Sequence, residues 1–105
     1  MEKPRRYSVR YLPLFWEDLS DAASYIAFEL NNPLAAERLV DSVEAGIFEH
    51  LKNPMMAATY RTTRDRPLPY YWFAVGNYMA FYVVIDDVVE MRRFLYKARN
   101  IEAMI

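Results

Sequence analysis

The sequence predicts an α+β fold, a helical hairpin packed on a small, mostly antiparallel sheet in the order β-α-α-β-β-β. Three observations carry this expectation. Apolar residues repeat at strand spacing through residues 6–11 and at helical spacing through residues 14–51. Pro13 and the pair Asn32-Pro33 stand where a helix would begin. The dipeptides Gly76-Asn77 and Asp86-Asp87 then divide three apolar runs between residues 70 and 96.

The elements follow in order. In residues 6–11, Tyr7, Val9 and Tyr11 lie on one side and Arg6, Ser8 and Arg10 on the other, as in a half-buried strand. Pro13 ends it. Over residues 14–31 Phe15, Leu19, Ala22, Ala23, Ile26 and Leu30 share one helical stripe, while Glu17, Asp18, Asp21 and Ser24 fall largely away from it. Asn32 is an N-cap residue with proline behind it. The second helix places Ala36, Leu39, Val40, Val43, Ile47 and Leu51 on its stripe and Glu37, Asp41 and Glu44 opposite. Asn53-Pro54 stops it. The short link between the two makes a hairpin. Residues 55–69 show no period and read as a loop with a short strand edge. Residues 70–75, 78–85 and 88–96 form a meander, and residues 98–105 a short helical tail. Strands apolar on both sides need both faces covered, or one face kept for a partner.

A chain of 105 residues suits one domain, spanning residues 1–105. There is no cysteine, which excludes disulfides, thiolate zinc sites and cysteine nucleophiles, and a reducing, cytoplasmic setting is compatible. Hydrophobic residues at 54% and charged residues at 26% are the balance of a folded globule. No apolar run approaches the roughly 20 residues of a membrane helix, and the N-terminus lacks a signal-peptide pattern. No membrane partner is expected. Net charge is −1, but unevenly spread: residues 1–50 carry five basic and nine acidic side chains, residues 51–105 eight and five. Bases cluster in residues 52–66 and 92–99, so one face suits an anion and another something else.

Three stretches resemble the RelE/ParE toxin family. Tyr25-Ile26-Ala27 with Asn32-Pro33-Leu34-Ala35-Ala36-Glu37 is similar to its helical hairpin. Val75-Gly76-Asn77-Tyr78 with Phe81-Tyr82-Val83-Val84 is similar to its β-hairpin, and residues 93–101 to its closing motif. Many relatives carry histidine where Tyr96 stands and glycine where Lys97 stands. The resemblance covers residues 6–101 and implies the same β-α-α-β-β-β fold. It also implies the toxin of a type II toxin–antitoxin pair, neutralised by a cognate antitoxin and arresting growth by cleaving mRNA on the ribosome. Two other outcomes stay open: a poison of DNA gyrase with no self-contained catalytic site, and a non-toxic member that binds its antitoxin and regulates transcription through it.

Cleavage, as the resemblance implies it, is attack of a ribose 2′-hydroxyl on the neighbouring phosphate, with no metal or cofactor. It requires a base, a proton donor and positive charge on the phosphate. By position in the closing motif, Arg93 is the expected phosphate clamp, with Tyr96 or Lys97 moving protons; Arg64 or Arg66, from the loop, is the expected second clamp. Tyrosine and lysine titrate near 10 in water, so either needs a shift to act as a base. Arg61, Arg66 and Arg99 are expected to bind RNA or phosphate. In a regular strand Arg93 and Tyr96 point to opposite faces, and a joint site needs the strand to end or bulge near Leu95.

Simpler readings stand beside these. Arg61, Arg64 and Arg66 also suit a soluble sheet edge. Tyr70, Tyr71, Trp72, Phe73, Tyr78, Phe81 and Tyr82 suit core better than base stacking, and Asp86-Asp87 suits a turn. His50, the sole histidine, sits at a helix end where a dipole contact is expected. One histidine and scattered acids give no support for a metal site. Trp16, Phe28 and Phe48, at the edges of the helical stripes, are the expected antitoxin contacts.

Overall fold

The computed structural model describes residues 6–61 and 66–105. The first strand, β1 (Ser8–Tyr11), begins two residues later than the alternation suggests. Pro13, with its fixed φ, occupies the first turn of α1 (Pro13–Ser24), which buries Phe15, Leu19 and Ala22. The helix does not continue to residue 31. It passes into a π-helical turn, Tyr25–Glu29, in which the Leu30 N–H donates to the Tyr25 carbonyl at 3.1 Å. The wider turn takes in an extra residue, so the chain after Ser24 leaves the α1 stripe and Leu30 becomes exposed.

Asn31 then adopts φ 50° and reverses the chain. The Asn32 side chain accepts a hydrogen bond from the Ala35 N–H at 3.1 Å, capping α2 (Pro33–His50) as its sequence predicts. Helix α2 buries Ala36, Val43 and Ile47 against the sheet. A 3₁₀ turn (Pro54–Met56) leads to the short edge strand β2 (Ala58–Thr59).

The meander follows as β3 (Tyr71–Val75), β4 (Tyr78–Ile85) and β5 (Val88–Tyr96). Its two turns form at Gly76-Asn77 and Asp86-Asp87, where Gly76 and Asp86 take positive φ. A last helix, α3 (Ile101–Met104), closes the described chain. Among the described residues the five strands are ordered β1-β5-β4-β3-β2, and only the β1–β5 pair is parallel.

One irregularity shapes the site. Along β4 and β5, Phe81 pairs with Arg93 but Tyr82 pairs with Met91, so Arg92 is an extra residue, a β-bulge. The bulge falls at Arg92, ahead of Leu95 where a joint site would need it. Val89 and Met91 before it, and Phe94 after it, all join the core beneath the helices. Without the bulge, Phe94 would turn to the other face.

Both faces of the sheet are covered. One carries α1 and α2 over Phe15, Val43, Phe73, Tyr82, Met91 and Phe94. The other buries Tyr70, Phe81, Val83, Leu95 and Ile101, with Tyr60, Leu68, Met104 and Ile105 packed on them. Those latter residues come from the loop before β3 and from the tail. The aromatics of β3 and β4 are accordingly core: Tyr70, Tyr71, Phe73, Phe81 and Tyr82 are buried, Trp72 and Tyr78 half-buried.

Candidate functional site

The basic residues of the closing motif stand at the end of β5, where β1 no longer flanks it. Arg93 leans over this edge. Its Nε donates to Asp18 Oδ2 at 2.7 Å, its Nη2 to Asp18 Oδ1 at 3.0 Å, and its Nη1 to the Met104 carbonyl at 2.6 Å. The two side chains are only 16% and 13% exposed. Hydrogen bonding to Asp18 holds the guanidinium even more firmly protonated than usual, against the opposing effect of its burial. Asp18, which the helical period placed largely toward solvent, is instead the counter-ion of this site.

Arg66 lies near the same tail. It donates to the Ile105 main-chain oxygen, and its guanidinium carbon sits 4.8 Å from the centre of the Tyr70 ring. The bulged Arg92 places Nε 2.6 Å from Glu90 Oε2, close enough for an ion pair but without hydrogen-bond alignment. Glu90 is buried and also accepts from Arg10 at 2.7 and 2.9 Å. Burial raises the Tyr70 hydroxyl pKa, while Arg92, Arg66 and Arg93 pull it down. This corner thus joins Arg66 and Arg93 beside Tyr70.

It does not include Tyr96. That residue pairs with Tyr78, and the two rings meet edge to face at 5.5 Å on the helix side of the sheet. Arg93 pairs with Phe81, which belongs to the opposite face. Lys97 and Arg99 are exposed beyond the strand, where the Lys97 N–H donates to the Asn77 carbonyl and the Arg99 N–H to the Tyr96 carbonyl. Arg61 is exposed in the loop before β3, and Arg64 lies outside the described residues. Among the described residues, no cluster of acids and histidine has the makings of a metal site.

A second feature is an open groove of about 1220 Å³ between the helical hairpin and the turn end of the sheet. Tyr25, Leu39, Phe73, Val75 and Phe94 contribute to its apolar lining, and Asp18, Asp21, Arg38, Glu49 and Arg99 supply its charges. At its base the His50 ring stacks on Phe73 at 4.3 Å, with Nδ1 2.8 Å from the Gly46 carbonyl.

A family model described as the ParE toxin of the type II toxin–antitoxin system, parDE, matches residues 9–101. The chain belongs to the ParE toxin family. Among solved structures it is similar to a chain of the chromosomal ParDE toxin–antitoxin system from P. aeruginosa, with a TM-score of 0.70 and 13% identity. The match covers 88% of this chain and 97% of that one, and it shows a shared fold. No curated protein matches the sequence. As a ParE-family toxin the chain has a toxin's role and a cognate antitoxin as its partner.

In this ParE-family toxin the three aromatics expected to meet the antitoxin are all exposed, Phe28 at 81%. They are not gathered. Trp16 rests its ring against Tyr11 at 4.8 Å near the start of α1, and Phe48 lies in the last turn of α2. Phe28 stands at the far tip of the hairpin, roughly 18 Å from Trp16 at about 1.5 Å of rise per residue. The groove gave no local sequence signal. Its residues come from both helices, β3 and β5, and only the packed fold brings them together. Among the described residues, no helix is long and apolar enough to cross a membrane.

Proposed function

We propose that this toxin arrests growth as a gyrase poison, through a protein contact, and that its antitoxin silences it by direct binding. One observation carries the reading: Arg93 is tied to Asp18 and faces away from Tyr96. A phosphodiester-cleaving site needs a free cation beside a proton mover. Here the expected clamp has two carboxylate bonds, Tyr96 lies across the sheet, and Lys97, the other expected proton mover, is exposed in the turn beyond β5. A contact poison needs neither group, and a net charge of −1 suits it, since an RNA-binding surface draws its affinity from excess cation. For the antitoxin, the groove offers an apolar floor to an amphipathic helix, with Trp16 and Phe48 as further exposed aromatics.

A second reading, mRNA cleavage on the ribosome, draws on the convergence of Arg66 and Arg93 beside Tyr70 and on the exposed Lys97 and Arg99. Induced expression in the cytoplasm of bacteria lacking the antitoxin separates the two. DNA integrity, message integrity and protein synthesis are followed in parallel. Early gyrase-dependent DNA breaks with intact messages support the gyrase reading. Cut messages with early loss of protein synthesis overturn it.

A further inference from the structure

The tip of the helical hairpin is both apolar and exposed. Tyr25, Phe28, Leu30 and Leu34, from the π-helical turn, the loop and the first turn of α2, all stand open to solvent. Leu14, Trp16 and Phe48 are exposed as well, but at the opposite end of the two helices, and the rest of the apolar stripes turn to the sheet. A large apolar cluster left in water on a folded protein marks an interaction surface.

The exposure is built in by the backbone. The Leu30 N–H bonds to the Tyr25 carbonyl, the Asn32 N–H to the Ile26 carbonyl at 3.0 Å, and the Ala35 N–H to the Asn32 side chain. With Asn31 in the left-handed region, these bonds fix the tip in one shape. A preorganised anchor gives up little conformational freedom on binding.

The surrounding charge describes the partner. Asp21, Glu29, Glu37 and Asp41 are exposed around this cluster, and Arg38 is the cation among them. Those four carboxylates form no ion pair among the described residues. A second copy offering the same face would be repelled, and so would an anionic lipid surface. A cationic protein surface with an apolar pocket would be attracted, more quickly at low salt than at high.

We propose that the hairpin tip is the surface by which this toxin grips its target. Phe28, flanked by Tyr25, Leu30 and Leu34, is the anchor, and the carboxylates around it dock on a cationic surface of the kind a protein uses to hold a DNA duplex. The identity of the target rests on the gyrase reading above; the location of the contact does not.

The test uses the full chain and two variants, Phe28→Ser and the triple variant Glu29→Lys, Glu37→Lys, Asp41→Lys, none of which lines the groove given to the antitoxin. Binding to purified gyrase is measured at low and high salt, binding to the antitoxin in parallel, and growth arrest in cells. Thermal unfolding checks that both variants fold. Phe28→Ser is expected to weaken gyrase binding more than tenfold and to abolish arrest. The triple variant is expected to slow association at least tenfold and to flatten its salt dependence, with antitoxin binding kept in both. Wild-type gyrase binding and arrest in both folded variants would overturn the proposal. Loss of antitoxin binding alone would also overturn it, making the tip the antitoxin's seat. If the unaltered toxin does not bind gyrase, the gyrase reading falls. Growth arrest then decides the surface: arrest lost in folded Phe28→Ser keeps the tip as the target contact, and arrest unchanged removes it.

Discussion

Asp18 grips Arg93 through both carboxylate oxygens, at 2.7 and 3.0 Å, and its Oδ2 also accepts the Phe94 N–H at 3.0 Å. That main-chain donor lies on β5 beyond the reach of β1, whose pairing ends at Tyr11–Met91. One carboxylate therefore closes an open sheet edge, neutralises an arginine and ties α1 to β5. Asp18→Ala leaves Arg93 without its counter-ion and the Phe94 N–H without an acceptor. We expect a loss of about 2–4 kcal/mol, near the range for breaking a largely buried pair. Asp18→Asn, which keeps an acceptor, should cost less. Urea unfolding of the three proteins checks this. A loss below about 0.5 kcal/mol for Asp18→Ala, the level of an ordinary surface change, would return Arg93 to the residues free for chemistry.

Tyr82 governs the alkaline limit of the fold. It is buried, and its hydroxyl donates to the Pro54 carbonyl at 2.5 Å. Burial pushes its pKa far above the tyrosine range, with nearby Tyr71 adding to the effect. Burial also raises Tyr78, Tyr70 and Tyr11. In each case the fold favours the protonated, neutral ring. This contribution is complete below the unfolded value of about 10 and is lost as pH rises from there through the folded values. Stability should thus fall above about pH 10. Tyrosinate absorbance at 295 nm should lag for these tyrosines until circular dichroism reports unfolding. Simple titration of all nine tyrosines near pH 10 with the fold intact would contradict it.

Gly46 sets how closely α2 approaches the sheet. A Cβ at this position would fall 2.6 Å from Phe73 Cε2. The Phe73 ring cannot swing away freely, being buried and stacked on His50. Gly46→Ala gains about 1 kcal/mol of helix propensity. Overpacking of this kind costs about 1–3 kcal/mol. The clash should win, lowering the melting temperature and loosening His50 from Phe73. An alanine variant more stable than the parent would mean that the ring yields at little cost.

Much of this fold was legible in the sequence because its punctuation is local. Asn32-Pro33 caps α2, Gly76-Asn77 and Asp86-Asp87 turn the meander, and β4 and β5 run between the residues that their apolar runs and turn dipeptides assign them. The exceptions each depend on something non-local. Leu30 left its stripe because the helix widens after Ser24, which no residue between 25 and 29 announces. Asp18 looked solvent-facing because its period describes the helix alone, while its partner is 75 residues away. The division of the candidate site was legible as a condition, a bulge or strand end near Leu95, and only the packed sheet puts the bulge elsewhere. Because the bulge falls at Arg92, before both residues, Arg93 and Tyr96 keep the opposite faces of a regular strand.

That division yields a last prediction. If toxicity needed Arg93 and Tyr96 as clamp and proton mover, removing either would abolish growth arrest even in a fully folded protein. If it arises from a protein contact, their effects should separate. Tyr96 is exposed and touches Tyr78 at the sheet's end, and Lys97 is exposed in the turn beyond it. Tyr96→Phe and Lys97→Ala should leave both arrest and stability near wild type. Arg93→Ala strands the Asp18 carboxylate and should weaken arrest only as far as it lowers the folded fraction. Arg93→Lys, which keeps the charge, should recover part of both together. The check is growth arrest plotted against unfolding free energy for the four variants. Points on a common curve fit a contact poison. A stable Tyr96→Phe or Lys97→Ala protein that has lost arrest would fall off that curve and place proton transfer back at the end of β5.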